Sequence, residues 1–412
     1  MTSTTGPAWL KSILARPKSD TTAAPAAAAA PAPATVAAPP LALLAAALRA
    51  PHGASPEELA AAIAGGKARP DLDPELVDDE GFPVTSARCD DADDDTVREE
   101  IVEWLTLSGL AELHWGDAQW RALTLGTAVV RDLAGEALAQ LMPAEGTPPH
   151  LRLLTILPSG WTLEQRQAAG LWFKHAVAQF GWPVDHLTRV DVARDATSAM
   201  ILGQCAADSQ RPNARAIALL VACDSHVDQV TVDQWAADGT LSTPAQAQGR
   251  VPGEGAAGLL LASLADAERI EDPIFAQLYP LVETRREVSI DSAKRAETQR
   301  MTELAQRALQ AGARQLAEVS YLAADTDQRS GRALELMALA SSALPQLDPT
   351  TDVAQAGVGT GSCGAVPWVC ALALARHAVL LNNASALFMS NDDPFTCTMA
   401  LVSPSLPAVA PA

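Results

Sequence analysis

The chain has 412 residues, a formal charge of −20, 48% apolar residues and six cysteines. That length allows one large or two ordinary domains with a sizeable core, and the acidity, with no basic face interleaved with aromatics, argues against nucleic acid and anionic membranes as partners. No stretch reaches the roughly 18 consecutive strongly apolar residues of a membrane span, and the N-terminus lacks the features of a secretory signal, so no membrane insertion and a cytoplasmic location are expected.

In chain order, residues 1–40 read as a disordered tail and linker. Thr21 to Pro40 is a low-complexity Ala/Pro tract suited to a semi-rigid spacer. Ahead of it, PAWLKSILARPK would place Trp9, Leu10, Ile13 and Leu14 on one face of a short helix, with Lys11, Arg16 and Lys18 around them. Such a tethered segment suits docking into an acidic groove on a partner or on its own domain; the competing reading is a frayed terminus. Residues 41–108 read as a helical region. LALLAAALRA is its first helix, and SPEELAAAIAGG its second, with Ser55 as N-cap, Pro56 at the first helical position and Glu58 three after the cap. The acidic run Asp90 to Asp95 is a loop whose end caps a helix from about Val97.

From about Leu110 helix and strand alternate, which favours an α/β architecture with a largely buried sheet. The first block spans residues 109–265 and ends in the strand AIALLVACDS and the run GRVPGEGAAGLLLAS; the second spans 266–405 and closes with VPWVCALALARHAVLL, ASALFMSND and TCTMALVSP. The six cysteines (Cys89, Cys205, Cys223, Cys363, Cys370, Cys397) show no C-x-x-C spacing and read as buried free thiols. No metal site and no cofactor is expected: GVGTGSCG has glycines but neither the lysine nor the spacing of a phosphate loop.

The strand ending in Asp224-Ser225, followed by the turn Gly253-Glu254-Gly255-Ala256-Ala257 that opens the next strand, resembles the middle of the thiolase and β-ketoacyl synthase superfamily. The segments Ala323 to Ala340 and Gly357 to Leu381 resemble two further turns of synthase-like proteins. The resemblance covers about residues 110 to 405 and implies an αβαβα sandwich of two similar halves, preceded by the linker and the helical region. In active condensing enzymes each of those two turns supplies a histidine, and a cysteine stands where a strand meets a buried helix, where the helix dipole lowers its pKa. Here neither turn holds a histidine. At the strand-helix junction VDVARDATSAMILGQCAA, alignment puts Arg194 or Ala193 at the nucleophile position. Cys205 lies about three turns inside that helix, as a packed residue.

Cys363, in the Gly-Ser-Cys-Gly turn before a long apolar helix, is the remaining thiol candidate, against the reading that small residues there let two layers approach. Asp224, Ser225 and His226 hold the residue types of a triad, but adjacent residues on a strand point to alternate sides. Glu254 reads as a carboxylate satisfying turn amides, His377 as a core or helix-end histidine, and His114, Trp115 and Trp120 as a packing cluster.

The resemblance is to acyltransferases, yet the nucleophile and both histidines are missing. The first expectation is therefore a non-catalytic binding or adaptor protein. Synthase-like relatives of this kind occur beside toxins of bacterial type VI secretion systems, so the resemblance implies a secreted effector as protein partner. The alternatives are an acyltransferase or acyl-binding protein of fatty-acid or polyketide type, and a structural partner of an active synthase. The family's edge-to-edge sheet pairing also implies a homodimer.

Overall fold

In a computed structural model, the described residues are 39–142, 148–192, 198–209, 216–271, 273–292 and 297–405. The first half comprises β1 (Leu41–Arg49), α1 (Pro56–Ala64), β2 (Asp71–Val77), β3 (Pro83–Ser86), α2 (Asp95–Leu107), α3 (Asp117–Leu141), β4 (His150–Ile156), α4 (Leu163–Gln179), β5 (Leu187–Asp191), α5 (Ser198–Ser209), β6 (Ala216–Ser225), α6 (Gln229–Ala237), β7 (Glu254–Ser263) and α7 (Leu264–Ala267). The second comprises β8 (Ala276–Leu278), β9 (Val282–Arg285), α8 (Thr298–Gln310), β10 (Val319–Ala324), α9 (Ser330–Ala343), β11 (Val353–Gln355), α10 (Ala356–Thr360), α11 (Val366–Asn382), β12 (Ser385–Ser390) and β13 (Thr396–Pro404).

The two halves repeat one topology. Strand order is β5-β4-β6-β7-β1 in the first and β11-β10-β12-β13-β8 in the second, with β9 added to β13. In each half three strands run parallel (β5, β4, β6 and β11, β10, β12), and β7 or β13 joins them antiparallel. The halves are joined where β1 pairs antiparallel with both β7 and β8.

One face of the first sheet packs against α2, α3 and α4 through residues such as Leu44, Leu153, Leu219 and Leu260. Its other face and the inner face of the second sheet (Tyr321, Ala323, Phe388, Val402) enclose α5 and α11. Beyond the second sheet lie α8 and α9, packed on Leu322, Leu387 and Leu401. This is the expected five-layer αβαβα sandwich. A helix in the middle layer must be apolar all round, and every residue from Val366 to Ala375 is buried. Where β7 passes under α3, a Cβ on Gly258 would come within 2.6 Å of Leu133 and 2.9 Å of the Leu220 carbonyl. A glycine is needed for that approach.

The helical region expected over residues 41–108 is corrected. α1 and α2 form, with Ser55 Oγ accepting from Glu58 N at 3.2 Å and Asp94 capping α2, but LALLAAALR is a strand at the centre of the sheet and β2–β3 is a hairpin. Alanine and leucine favour helix intrinsically by a few tenths of a kcal/mol per residue; pairing on both edges overrides that preference. A short apolar run buried on both faces has no period that separates strand from helix. Among the described residues no helix is long and apolar enough to cross a membrane.

At β1 the register shifts between Leu43 and Ala45, and a bulge leaves carbonyls without regular ladder partners. Arg376 of α11 fills that role: its Nε donates to the Leu43 carbonyl at 2.9 Å and Nη2 donates to the Leu44 carbonyl. Burial pushes this guanidinium down to about 10 from its ordinary value. Arg376→Met, which keeps the stem and removes the donors, should lower unfolding stability by about 2–4 kcal/mol, the cost of orphaning two buried carbonyls. Denaturant titration should show an earlier midpoint at unchanged slope; an unmoved midpoint would mean that the bulge is satisfied without Arg376.

Candidate functional site

The ends of β6 and β7 organise the site. Strand alternation sends Ser225 to one side and Asp224 and His226 to the other. Ser225 Oγ donates to Glu254 Oε2 at 2.9 Å. The same carboxylate accepts from Arg121 Nε at 2.8 Å and Nη2 at 2.6 Å, and from the Cys89 backbone N–H at 2.7 Å. Glu254 is thus fully buried and fully satisfied, an anchor tying α3 and the Cys89 turn to the mouth of β7. The backbone amide it accepts from is that of Cys89, 165 residues away, and not one of its own turn as expected; its guanidinium partner, 133 residues away, left no mark in the sequence.

On the opposite side, His226 Nδ1 lies 2.6 Å from the Ser362 carbonyl and Nε2 lies 3.8 Å from Asp224 Oδ2. A carbonyl only accepts, so Nδ1 carries the hydrogen. Asp224 is buried, which raises its carboxyl above the ordinary range, and its Oδ1 has no hydrogen-bond partner among the described residues. The turn facing it is built for close approach: at Gly364, φ is +59° and a Cβ would sit 2.4 Å from Asp224 Oδ2. The two glycine turns also meet backbone to backbone, with Ser362 N donating to the Val251 carbonyl at 2.9 Å.

Cys363 therefore stands beside His226 and Asp224, residues that sequence spacing could not bring to it. The triad residue types converge only in part, since Ser225 faces away. The Cys363 thiol is 1% exposed, and its Sγ donates to the carbonyls of Thr360 at 3.5 Å and Gly361 at 3.7 Å. No hydrogen bond joins it to the His226 ring among the described residues. Burial first, then the nearby Asp224, pushes the thiol well above its ordinary value. A nucleophilic cysteine needs the reverse, a cationic and partly open setting. Cys205 is buried in α5 as expected, with burial raising its thiol to about 11.

His226 and Cys363 border a cavity of about 610 Å³ between the ends of the two halves. Ile156, Ile201, His226, Trp235 and Arg250 line it from the first half. The second half contributes a charged wall that motif reading missed. Arg329 donates to Asp327 at 2.6 Å and to Asp392 at 2.7 Å; Arg332 pairs with Asp291 and donates to the Asp392 carbonyl at 2.6 Å. Beneath this wall, Arg286 grips Glu335 at 2.6 and 3.1 Å in a second buried ion pair. Asp325 also lines the cavity; it accepts from Ser390 Oγ at 2.5 Å and Asn391 N at 2.9 Å. Burial, reinforced by Asp392, raises its carboxyl to about 7.

Other candidates fall elsewhere. His377 is half-buried on α11, lowered by burial, and does not line the cavity. Trp115 packs at a tilt against Trp120 and edge-to-face against Trp161, with ring centroids 6.0 and 5.4 Å apart, while His114 is exposed and contributes its carbonyl to Gln165. Ala193 and Arg194, at the aligned nucleophile position, lie outside the described residues, as do Trp9, Leu10, Ile13 and Leu14. No group of residues that could hold a metal ion occurs among those described.

Asp325 generates a pH test. Its folded pKa, near 7, lies above the ordinary 3.8, so the unfolded chain loses this proton first as pH rises. Stability then falls from about pH 4 and levels off above 7, by up to about 4 kcal/mol for one such group. Asp325→Asn removes this dependence. Thermal melts should show the variant gaining on wild type between pH 5 and 8; parallel curves would mean that Asp325 is ionised throughout.

Among solved structures, ketosynthases share this fold. The oxazolomycin ketosynthase domain of Streptomyces albus matches with a TM-score of 0.59 at 16% identity, over 90% of this chain and 77% of that one. The ketosynthase from module 1 of the bacillaene synthase of Bacillus amyloliquefaciens matches at 0.57 and 15% identity, over 90% and 74%. A type II polyketide ketosynthase, in complex with its acyl-carrier protein, matches at 0.59 and 12%, over 89% and 100%. No protein-family model and no curated protein matches the chain. Layer order, repeated strand order and these superpositions agree: the chain has the thiolase-like fold of the β-ketoacyl synthases.

Proposed function

We propose that this chain is a non-catalytic member of the thiolase-like fold that acts through protein contacts, as an adaptor accessory to a type VI secretion effector. The observation that carries the non-catalytic reading is the setting of Cys363, a thiol sealed from solvent, donating to carbonyls and backed by carboxyl groups. The absence of histidine from both family turns supports it further. Support for protein contacts comes from the surface. Val77, Phe82 and Val230 are exposed at 37%, 62% and 77% around the β2–β3 turn and the start of α6, where Gln229 bonds the Val77 backbone. Beside them lies a concavity of about 340 Å³ that includes Glu75, Asp95, Asp117 and Asp228. An apolar tip beside an acidic hollow suits a basic, amphipathic partner segment. The solved ketosynthase that holds its acyl-carrier protein is a precedent for protein partners on this fold.

A second reading, an acyltransferase or acyl-binding protein, is favoured by the position of His226 and Asp224 beside Cys363. Intact-mass measurement after incubation with acyl-CoA and acyl-carrier-protein thioesters separates the two. No covalent adduct is expected; an acyl adduct that disappears in Cys363→Ala would establish the enzyme reading and sink the adaptor. The effector link is tested by affinity purification from the native cell, in which a secreted toxin or spike component should co-elute, whereas co-elution of an active synthase alone would contradict it.

A homodimer belongs to the same proposal. Among the described strands β5 pairs only with β4, and an open edge invites pairing with a second copy. Light scattering should return twice the chain mass. A monomer at micromolar concentration would remove the dimer.

A further inference from the structure

The cavity between the halves holds a buried carboxyl group, Asp325, that no cation of the described residues pairs with. Arg329 and Arg332, the guanidinium groups nearest in sequence to Asp325, are committed to Asp327, Asp392 and Asp291. Asp325 receives two hydrogen bonds, from Ser390 and Asn391, and has no ion-pair partner among the described residues. A carboxylate buried without a cation is costly, and a bound cation relieves that cost.

Three further groups on the same walls are incomplete, the first being Arg332 Nε, which lies 3.7 Å from Asp392 Oδ1 without a hydrogen bond among the described residues. Trp368 is 5% exposed and Thr398 6%; the Trp368 indole Nε1 and the Thr398 hydroxyl have no hydrogen-bond partner among the described residues. An indole N–H only donates, so it calls for an acceptor, and a threonine hydroxyl serves an acceptor as well. The volume, about 610 Å³, falls within the range of small-molecule sites. An acyl chain would leave the indole unpaired and set methylenes against a carboxyl group, so the walls discriminate against it.

We propose that this cavity is a binding site for a small primary amine bearing an oxygen acceptor, its ammonium group held by Asp325 and its hydroxyl or carbonyl oxygen by Trp368 Nε1 and Thr398 Oγ1. Ser390 and Asn391 keep the Asp325 carboxylate oriented, while Arg329 is held by Asp327 and Asp392 and the Arg332 terminal nitrogens by Asp291 and the Asp392 carbonyl. Such binding needs no covalent step and is independent of whether the chain is an adaptor.

Isothermal titration of the full chain at pH 8 with ethanolamine and L-alaninamide, against 1,4-diaminobutane and hexanoate, tests the site. The two oxygen-bearing amines should bind in the millimolar range or tighter, diaminobutane several-fold more weakly, and hexanoate not measurably. Asp325→Asn, which keeps shape and removes the charge, should weaken both amines by about tenfold or more, and Thr398→Val by a few-fold. If Trp368→Phe disturbs packing, Thr398→Val alone carries the acceptor arm. No heat from either amine at tens of millimolar would overturn the proposal, as would binding that Asp325→Asn leaves intact. Equal affinity for diaminobutane would overturn the acceptor contact.

Discussion

Strand β1 is the constraint on which the rest depends. It is hydrogen-bonded to β7 along nearly its whole length and to β8 at its first residues, so it closes the first half and begins the junction to the second. Its bulge is bound by Arg376 from the middle helix layer. Both sheets and the helices between them are thus referred to one strand, and the cavity forms where the strand ends of the two halves face each other.

Around that cavity the chain uses charge where a condensing enzyme needs a polarised thiol. Each half carries one buried bidentate ion pair, Arg121 with Glu254 and Arg286 with Glu335. Buried pairs of this kind contribute little net stability, yet removing one partner is costly because a bare charge remains. The first pair holds Ser225, beside His226, and the second holds Asn391, which bonds Asp325. Burial first, then the neighbouring Asp224, raises the Cys363 thiol well above its ordinary value, the reverse of the cationic, partly open setting of a nucleophilic cysteine.

Much of this was legible in the sequence. Alternating helix and strand runs gave an α/β architecture with a buried sheet, the resemblance to the thiolase superfamily gave the five-layer sandwich, the Ser55 cap gave α1, and the small residues of the GSCG turn matched the approach that Gly364 permits to Asp224. The central position of β1 was not legible, because eight consecutive apolar residues on a strand covered on both faces have no diagnostic period and their helix propensity points the wrong way. Nor was the site's charged wall. Arg121 meets Glu254 across 133 residues and Arg286 meets Glu335 across 49, and only the repeated topology brings such groups together. Residue alternation at the end of β6 correctly separated Ser225 from Asp224 and His226, but could not reveal that the latter pair faces Cys363, 137 positions beyond His226.

Thiol reactivity in the native state tests the central claim most directly. All six cysteines are buried and unbridged, and burial raises the thiols of Cys363 and Cys397 well above their ordinary value and that of Cys370 to about 12. Iodoacetamide labelling of the folded chain at pH 7.5, read by peptide mass spectrometry, should modify none of the six until denaturant is added. A single fast-labelling site at Cys363 would contradict the account and point to a working nucleophile.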